Sequence, residues 1–244
     1  MPQVFNRFEK KYVIKKEIAQ RIRQELEDGF MQSDPFNKGG KTYPIASIYY
    51  ATDAEIVDRT KAALEKHDYN HHLRLRSYGQ IEDTQPAFLE IKKKVAGMTN
   101  KRRVTICYRD AVRQMSGQHV LDNQVISEVE AIQKNGDLKP YMLVAYDRFA
   151  YKGIEDPNFR ISFDQNIRYR QHDLDLTKPT TGRLLLDEDY ELMEIKSRTG
   201  MPMKMISILN RFGVTPQSFS KFSKGAIDMN SDNKISKELG LHYA

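Results

Sequence analysis

The chain has 244 residues, 39% of them hydrophobic and 30% charged, with 39 Lys and Arg against 33 Asp and Glu and a formal net charge of +6. That apolar share excludes a disordered chain, and so modest a basic excess means that a strongly positive site must come from segregated charges. One cysteine, Cys107, excludes an intramolecular disulfide, and no apolar run is long enough for a secretory signal or a membrane span, so a soluble cytoplasmic protein is expected.

Residues 4–14 alternate as a strand with Arg7, Glu9 and Lys11 on one face and Phe8, Tyr12 and Ile14 on the other. A helix follows over 16–30, its stripe formed by Ile18, Ile22, Leu26 and Phe30, until Asp34-Pro35 and Gly39-Gly40 make a loop. Residues 43–50, YPIASIYY, form the next strand, and the capping box Thr52-Asp53-Ala54-Glu55 starts a helix that runs to about Leu64. Three strands lie between Leu73 and Ile106. On each, one face is apolar and the other gathers cations: Arg74, Arg76 and Tyr78, then Phe88, Glu90, Lys92 and Lys94, then Lys101 and Arg103.

Asp110 is expected to cap a short helical piece, and 123–135 to form a firmer helix closed by Gly136. Strands follow over 141–151 with Arg148, 159–167 with Arg160, Ser162 and Asp164 on one face, and 190–197 with Leu192, Glu194 and Lys196 aligned. Pro202 opens a helix through Phe212 in its preferred first position, and 219–229 is a last short helix bearing Lys221 and Lys224. No repeat or composition shift marks a second domain, so the expectation is one domain over 1–230 with a polar tail at 231–244.

A merely solvated sheet face mixes both charge signs, but these faces carry Arg7, Lys11, Arg74, Arg76, Lys92, Lys101, Arg103, Arg148, Arg160 and Lys196 against Glu9, Glu90, Asp164 and Glu194. If the strands curl into one antiparallel sheet, the cations converge and the apolar faces are left for helices to cover. Converging cations repel one another in a partly dehydrated space, so the natural ligand is a polyanion of several phosphates. The few carboxylates suit a divalent ion that bridges phosphate oxygens.

Other features have plainer readings. His67, His71 and His72 lie in a polar stretch with no convincing partner carboxylate, which argues against a metal site. The Lys92–Lys94 and Lys101–Arg103 runs alternate between faces, and only Tyr78 and Phe88 interleave as aromatics, so nucleic acid is not the expected partner. The methionines at 201–205 read as helix packing, and Cys107 as a small buried hydrophobe.

RFEKKY at 7–12, SIYY at 47–50, LRLRSYG at 73–79, FLEIKKK at 88–94, KRR at 101–103, YDRFAY at 146–151, RISFD at 160–164, LMEIKSR at 192–198 and FSKFSKG at 219–225 share an order and spacing. In these segments the sequence resembles the VTC domain, the polyphosphate polymerase domain of the vacuolar transporter chaperone family, in its bacterial stand-alone form. That family belongs to the triphosphate tunnel metalloenzymes, with CYTH-type adenylate cyclases. The resemblance implies an α+β fold, an eight-stranded antiparallel tunnel with helices outside, and a phosphotransferase that uses ATP and polyphosphate with Mn²⁺ or Mg²⁺.

It further implies that Lys11, Arg74, Arg76, Lys92, Arg148, Arg160 and Lys221 contact the triphosphate or the growing chain. Tyr78, Lys101, Arg103, Lys196 and Lys224 join the substrate-binding set. Glu194 matches the metal-holding glutamate, with Glu9 and Glu90 as further candidates. Ser218 departs from the family pattern, which has a lysine there that nearby Lys224 would replace. Hydrolytic and cyclase relatives carry E-x-E-x-K on the first strand, whereas this chain reads Arg7-Phe8-Glu9-Lys10-Lys11, which favours chain binding over water activation. The alternatives are a tripolyphosphatase or nucleoside triphosphatase of the same fold and a non-catalytic polyphosphate-binding module. A membrane-protein partner at the inner face of a membrane is compatible with each.

Overall fold

The computed structural model describes residues 8–52, 69–95, 98–134, 136–198 and 200–238. Arg7, His67 and the helix expected over 56–64 lie outside the described residues. In chain order the elements are β1 (Phe8–Lys15), α1 (Lys16–Glu27), β2 (Met31–Ser33), a 3₁₀ turn (Lys38–Gly40), β3 (Tyr43–Ala51), β4 (Tyr69–Tyr78), β5 (Pro86–Val95) and β6 (Met98–Cys107). There follow α2 (Tyr108–Met115), α3 (Gln124–Gln133), β7 (Lys139–Gly153), β8 (Arg160–Arg170), β9 (Arg183–Leu184), β10 (Tyr190–Ser197), α4 (Met203–Arg211) and α5 (Lys221–Glu238).

The fold is α+β with an antiparallel sheet, as expected. Eight strands form the hydrogen-bonded path β1-β10-β8-β7-β3-β4-β5-β6, and the two short strands attach beside it, β2 on β7 and β9 on β8. Among the described residues the path is open, ending on β1 and β6.

Two compact units divide the chain. The first contains residues 1–45, 145–168 and 186–219. Its core lies on one face of β1, β8 and β10, where Tyr12, Ile14, Ile161, Phe163, Met193 and Ile195 meet Ala19, Ile22 and Leu26 of α1 and Met205, Ile208 and Leu209 of α4. The period-2 alternation of the strands and the three-to-four spacing of the helices bring these residues onto facing surfaces. Each fully buried aliphatic side chain contributes about 1.5–3 kcal/mol. A partly buried polar clamp joins α1 to the same sheet: Arg23 donates from Nη1 to Glu191 Oε2 at 2.6 Å and from Nη2 to Oε1 at 3.1 Å, and the Tyr151 hydroxyl donates to Glu27 Oε1 at 2.6 Å.

The second unit contains residues 46–144, 169–185 and 220–244. Leu73, Leu75, Leu89 and Ile91 are buried on one face of β4 and β5, beneath the helical residues Ala111, Met115, Val125, Ile126 and Val129. Lys93 and Arg102, which alternate away from the other cations, pair with Glu128 of α3. Gly225 lets α5 approach β7 closely, because a Cβ there would lie 2.6 Å from Met142 Sδ.

Several boundaries differ from the sequence expectation. The first helix ends at Glu27, because Gly29 turns the chain at φ 67° into the short strand β2. Asp110 lies inside the first turn of α2 rather than capping it, with Cys107 at the cap position. Pro202 is the residue before α4, extended at φ −58° and ψ 145°, not its first helical residue. The last helix continues through Glu238, past the expected end at Met229, since neither proline nor glycine interrupts residues 226–238. Among the described residues, no helix is long and apolar enough to cross a membrane.

Candidate functional site

In each unit, the polar face of the sheet gathers cations around a buried carboxylate. In the first unit, β1 and β10 pair Lys11 with Glu194 and Glu9 with Lys196, and β10 and β8 pair Glu194 with Ser162 and Lys196 with Arg160. Register alone therefore places Glu9, Lys11, Arg160, Ser162, Asp164, Glu194 and Lys196 on one face, opposite the core.

Arg148 grips Asp164 through both edges of its guanidinium, Nε donating to Oδ1 at 2.6 Å and Nη2 to Oδ2 at 2.8 Å, and Nη2 also reaches Glu194 Oε2 at 3.5 Å. Lys196 Nζ donates to Glu194 Oε2 at 2.9 Å, and Lys11 Nζ stands 4.0 Å from Oε1. Lys11 Nζ also donates to the Phe219 carbonyl at 2.8 Å and lies 3.9 Å from Glu9 Oε1. Burial by itself disfavours the charged Arg148, but Asp164, Tyr146 and Glu194 outweigh it and push its pKa still higher. Arg148 is a permanent cation.

In the second unit the hub is Glu90, only 1% exposed. Arg74 Nε donates to Glu90 Oε2 at 2.8 Å, and Arg76 Nη1 lies 3.8 Å from the same oxygen. Lys101 Nζ lies 2.5 Å from Oε1, an ion pair rather than a well-aligned hydrogen bond. Burial would raise the Glu90 pKa, but Arg74, Arg76 and Lys101 hold it down at about 2. Lys101 is itself lowered to about 8, chiefly by burial and further by Arg74 and Arg76, against the opposing pull of Glu90.

Two hydroxyls extend this cluster. Arg74 Nη1 donates to the Tyr49 hydroxyl at 2.9 Å, and Arg76 Nε to Ser47 Oγ at 3.1 Å. Burial raises the Tyr49 phenol, but Arg74, Arg76 and Lys221 together bring it below its ordinary value. Tyr49 packs on Phe222 at 4.9 Å between ring centroids, which anchors the start of α5 and its Lys221 beside the cluster.

The other expected site residues are more dispersed. Lys92 is half-buried and lies opposite His72 and Lys101 in the ladder, on the cationic face. Arg103 is exposed and lies over the Phe88 ring, and Tyr78 packs its ring edgewise on Phe88. Arg160 is exposed, with Nε 3.4 Å from the Pro157 carbonyl and no contact to the Glu194 group among the described residues. Lys224 is exposed on α5, one turn beyond Lys221. His72 packs against Phe222 and Tyr49 in an aromatic group.

Sequence reasoning did not assign Ser47, Tyr49 or Tyr146 to the site. Ser47 and Tyr49 share the period-2 spacing of the cations, but β3 carries hydroxyls where the other strands carry charge. Asp164 was legible as one of the few carboxylates on a basic face, though its bidentate partner was not.

A family model of the VTC domain matches residues 6–230. The chain belongs to the VTC domain family. Among solved structures, this VTC domain is similar to a Bacillus halodurans protein described as a candidate adenylate cyclase, at TM-score 0.52 and 15% identity, over 87% of this chain and 92% of that one. It is also similar to a Pyrococcus horikoshii protein at TM-score 0.46 and 14% identity, over 89% of this chain and 96% of that one. The first likeness is one of fold. No curated protein matches this chain. Family and fold together place the VTC domain among phosphoryl-transfer or polyphosphate-related proteins of the tunnel fold.

The donor chemistry of Glu194 fits a hard divalent ion, which takes one or two protein carboxylates and completes its shell with water and phosphate oxygens. Among the described residues no three His, Cys, Asp or Glu side chains gather as an all-protein metal cage. Glu90 is less suited, since Arg74 and Lys101 press on its two oxygens at 2.7 and 2.5 Å, whereas Lys11 stands 4.0 Å from Glu194 Oε1.

Proposed function

We propose that this VTC domain is a polyphosphate polymerase, which transfers the γ-phosphoryl group of ATP to the end of a polyphosphate chain with Mn²⁺ or Mg²⁺. The observation that carries the reading is Glu194, 7% exposed, with Lys11, Arg148 and Lys196 all within 4.0 Å. An acidic oxygen for a metal stands among cations suited to phosphate.

In this reading, Lys11, Arg148 and Lys196 bind the oxygens of the transferred phosphoryl group and its neighbours, and Glu194 holds the metal, with Glu9 as a second candidate. The metal, when bound, neutralises charge on bridging and non-bridging phosphate oxygens. In the second unit, Arg74, Arg76, Lys92 and Lys101 form a phosphate-binding face of their own around Glu90, and Lys221 and Lys224 extend that set from α5. Arg160, exposed at the end of β8, meets phosphate only if its side chain swings toward Lys196, its ladder partner.

The terminal oxygen of the chain attacks the γ-phosphorus, the bond to the β-phosphate oxygen breaks, and ADP leaves. Such a transfer depends on positioning and charge stabilisation. A chain phosphate arrives already anionic, so no strong base is needed. Three carboxylates favour this over hydrolysis: Asp164 and Glu194 are engaged by cations, and Glu90, held at about 2, is too weak a base to activate water, which leaves Glu9 as the base a hydrolase would need.

The test is a time course of purified protein with ATP and Mn²⁺, resolved on a gel stained for polyphosphate with ADP measured in parallel. A lengthening ladder with matching ADP is expected. Free phosphate without a ladder would establish a hydrolase, and tight polyphosphate binding without turnover a binding module.

A further inference from the structure

Arg103 stands directly opposite Glu90 in the β5–β6 ladder, yet the cations that reach Glu90 are Arg74, Arg76 and Lys101. Arg103 instead lies with Cζ 4.9 Å from the centroid of Phe88. Tyr78 meets the same ring edgewise, 5.5 Å between centroids at 86°. Phe88 is half-buried and forms a floor, while Arg103 is exposed and Tyr78 is 41% exposed. A guanidinium laid on an aromatic ring presents a second flat face outward, suited to another planar group.

The position of this group matters as much as its chemistry. Phe88 is the ladder partner of both Arg76 and Thr105, so the aromatic group occupies the same face as the cations around Glu90. Phe88 and Glu90 are two residues apart on β5, about 7 Å along the strand. A ribose bridges such a span between a base and its first phosphate.

We propose that Arg103, Tyr78 and Phe88 form a stacking platform for the nucleobase of the nucleoside triphosphate, a site separate from its phosphate contacts. The inference rests on the proposed use of a nucleoside triphosphate on the cationic face of β4–β6. Two aromatics and one guanidinium accommodate one base, not a strand of them. The platform carries no Asn or Gln to read a base edge, and Thr105 offers a single hydroxyl, so the site takes adenine and guanine alike. Its selectivity is for nucleotides over base-free polyphosphates.

Titration calorimetry with ATP, GTP and tripolyphosphate as probes, at fixed Mg²⁺, tests this on the full chain. Arg103→Lys keeps the charge and removes the plane, and Phe88→Leu keeps an apolar floor and removes the ring. Each is expected to weaken ATP and GTP by about 5- to 150-fold, the range of a lost base stack, while tripolyphosphate stays within about twofold. Tyr78→Ala should show the same split, and Tyr78→Phe should restore wild-type affinity. Equal losses for ATP and tripolyphosphate in all three variants would overturn the platform and make these residues supports for the phosphate contacts. Unchanged ATP affinity would overturn it as well. If wild-type protein binds none of the three probes, the proposed function itself fails, an outcome distinct from failure of the platform alone.

Discussion

Replacing Glu90 by glutamine keeps the shape of the side chain and removes the charge that holds Arg74, Arg76 and Lys101 together. The carboxylate is 1% exposed, and its pKa falls from an ordinary 4.5 to about 2 because those three cations outweigh its burial. That difference corresponds to about 3 kcal/mol favouring the folded state when Glu90 is ionised. Since the folded pKa is depressed, the contribution is fully present above pH 4.5 and is lost as pH falls from there through 2. Glu90→Gln should therefore lower unfolding stability by about 3 kcal/mol at pH 7, within the range for breaking a buried ion pair. The gap from wild type should narrow steadily below pH 4.5. Urea unfolding of both proteins between pH 7 and pH 3 measures it. Tripolyphosphate should close part of the gap at pH 7, because its oxygens can replace the missing charge. A variant as stable as wild type at pH 7, or a gap that does not change with pH, would refute Glu90 as the hub.

Three further outcomes are expected. Glu194→Ala should lower Mn²⁺-dependent ADP release at least 100-fold while polyphosphate binding, followed by fluorescence anisotropy, changes only a few-fold, since it removes the metal ligand and keeps the cations. Arg148→Met leaves Asp164, which is 0% exposed, without its bidentate partner, and should cost about 3–5 kcal/mol in urea unfolding, with Arg148→Lys recovering part of it. Lys101 loses its charge as pH rises through about 8, so tripolyphosphate affinity should fall between pH 7 and pH 9 in calorimetry, and Lys101→Arg should flatten that decline.

The sequence by itself determined which residues share a face. A strand's side chains alternate with period 2 whatever the strand pairs with, so Arg74 with Arg76, Lys101 with Arg103, and Glu194 with Lys196 could be grouped from spacing alone, as could the apolar sets opposite them. The ordered motifs were enough to suggest the family and its antiparallel α+β fold, because both are properties of the whole chain. Local boundaries were less legible: Gly29 and the short β2, the shifted cap at Pro202 and the continuation of α5 depend on pairing and packing that a window of neighbours does not contain.

Only the tertiary structure decided which charges meet. Arg148 and Asp164 are 16 residues apart and Lys11 and Glu194 are 183 apart, and no periodicity links either pair; strand pairing does, with β7 beside β8 and Lys11 opposite Glu194 in the β1–β10 ladder. The folded contacts make hubs of Glu90 and Glu194, each taking several cations that would otherwise repel one another. They also separate Arg103, laid on Phe88, from Lys101, drawn to Glu90, although both alternate onto one face of β6. Alternation is a local geometric constraint and can be read from the chain; the partner of a buried charge is set by long-range pairing and desolvation, which arise only when the chain is folded.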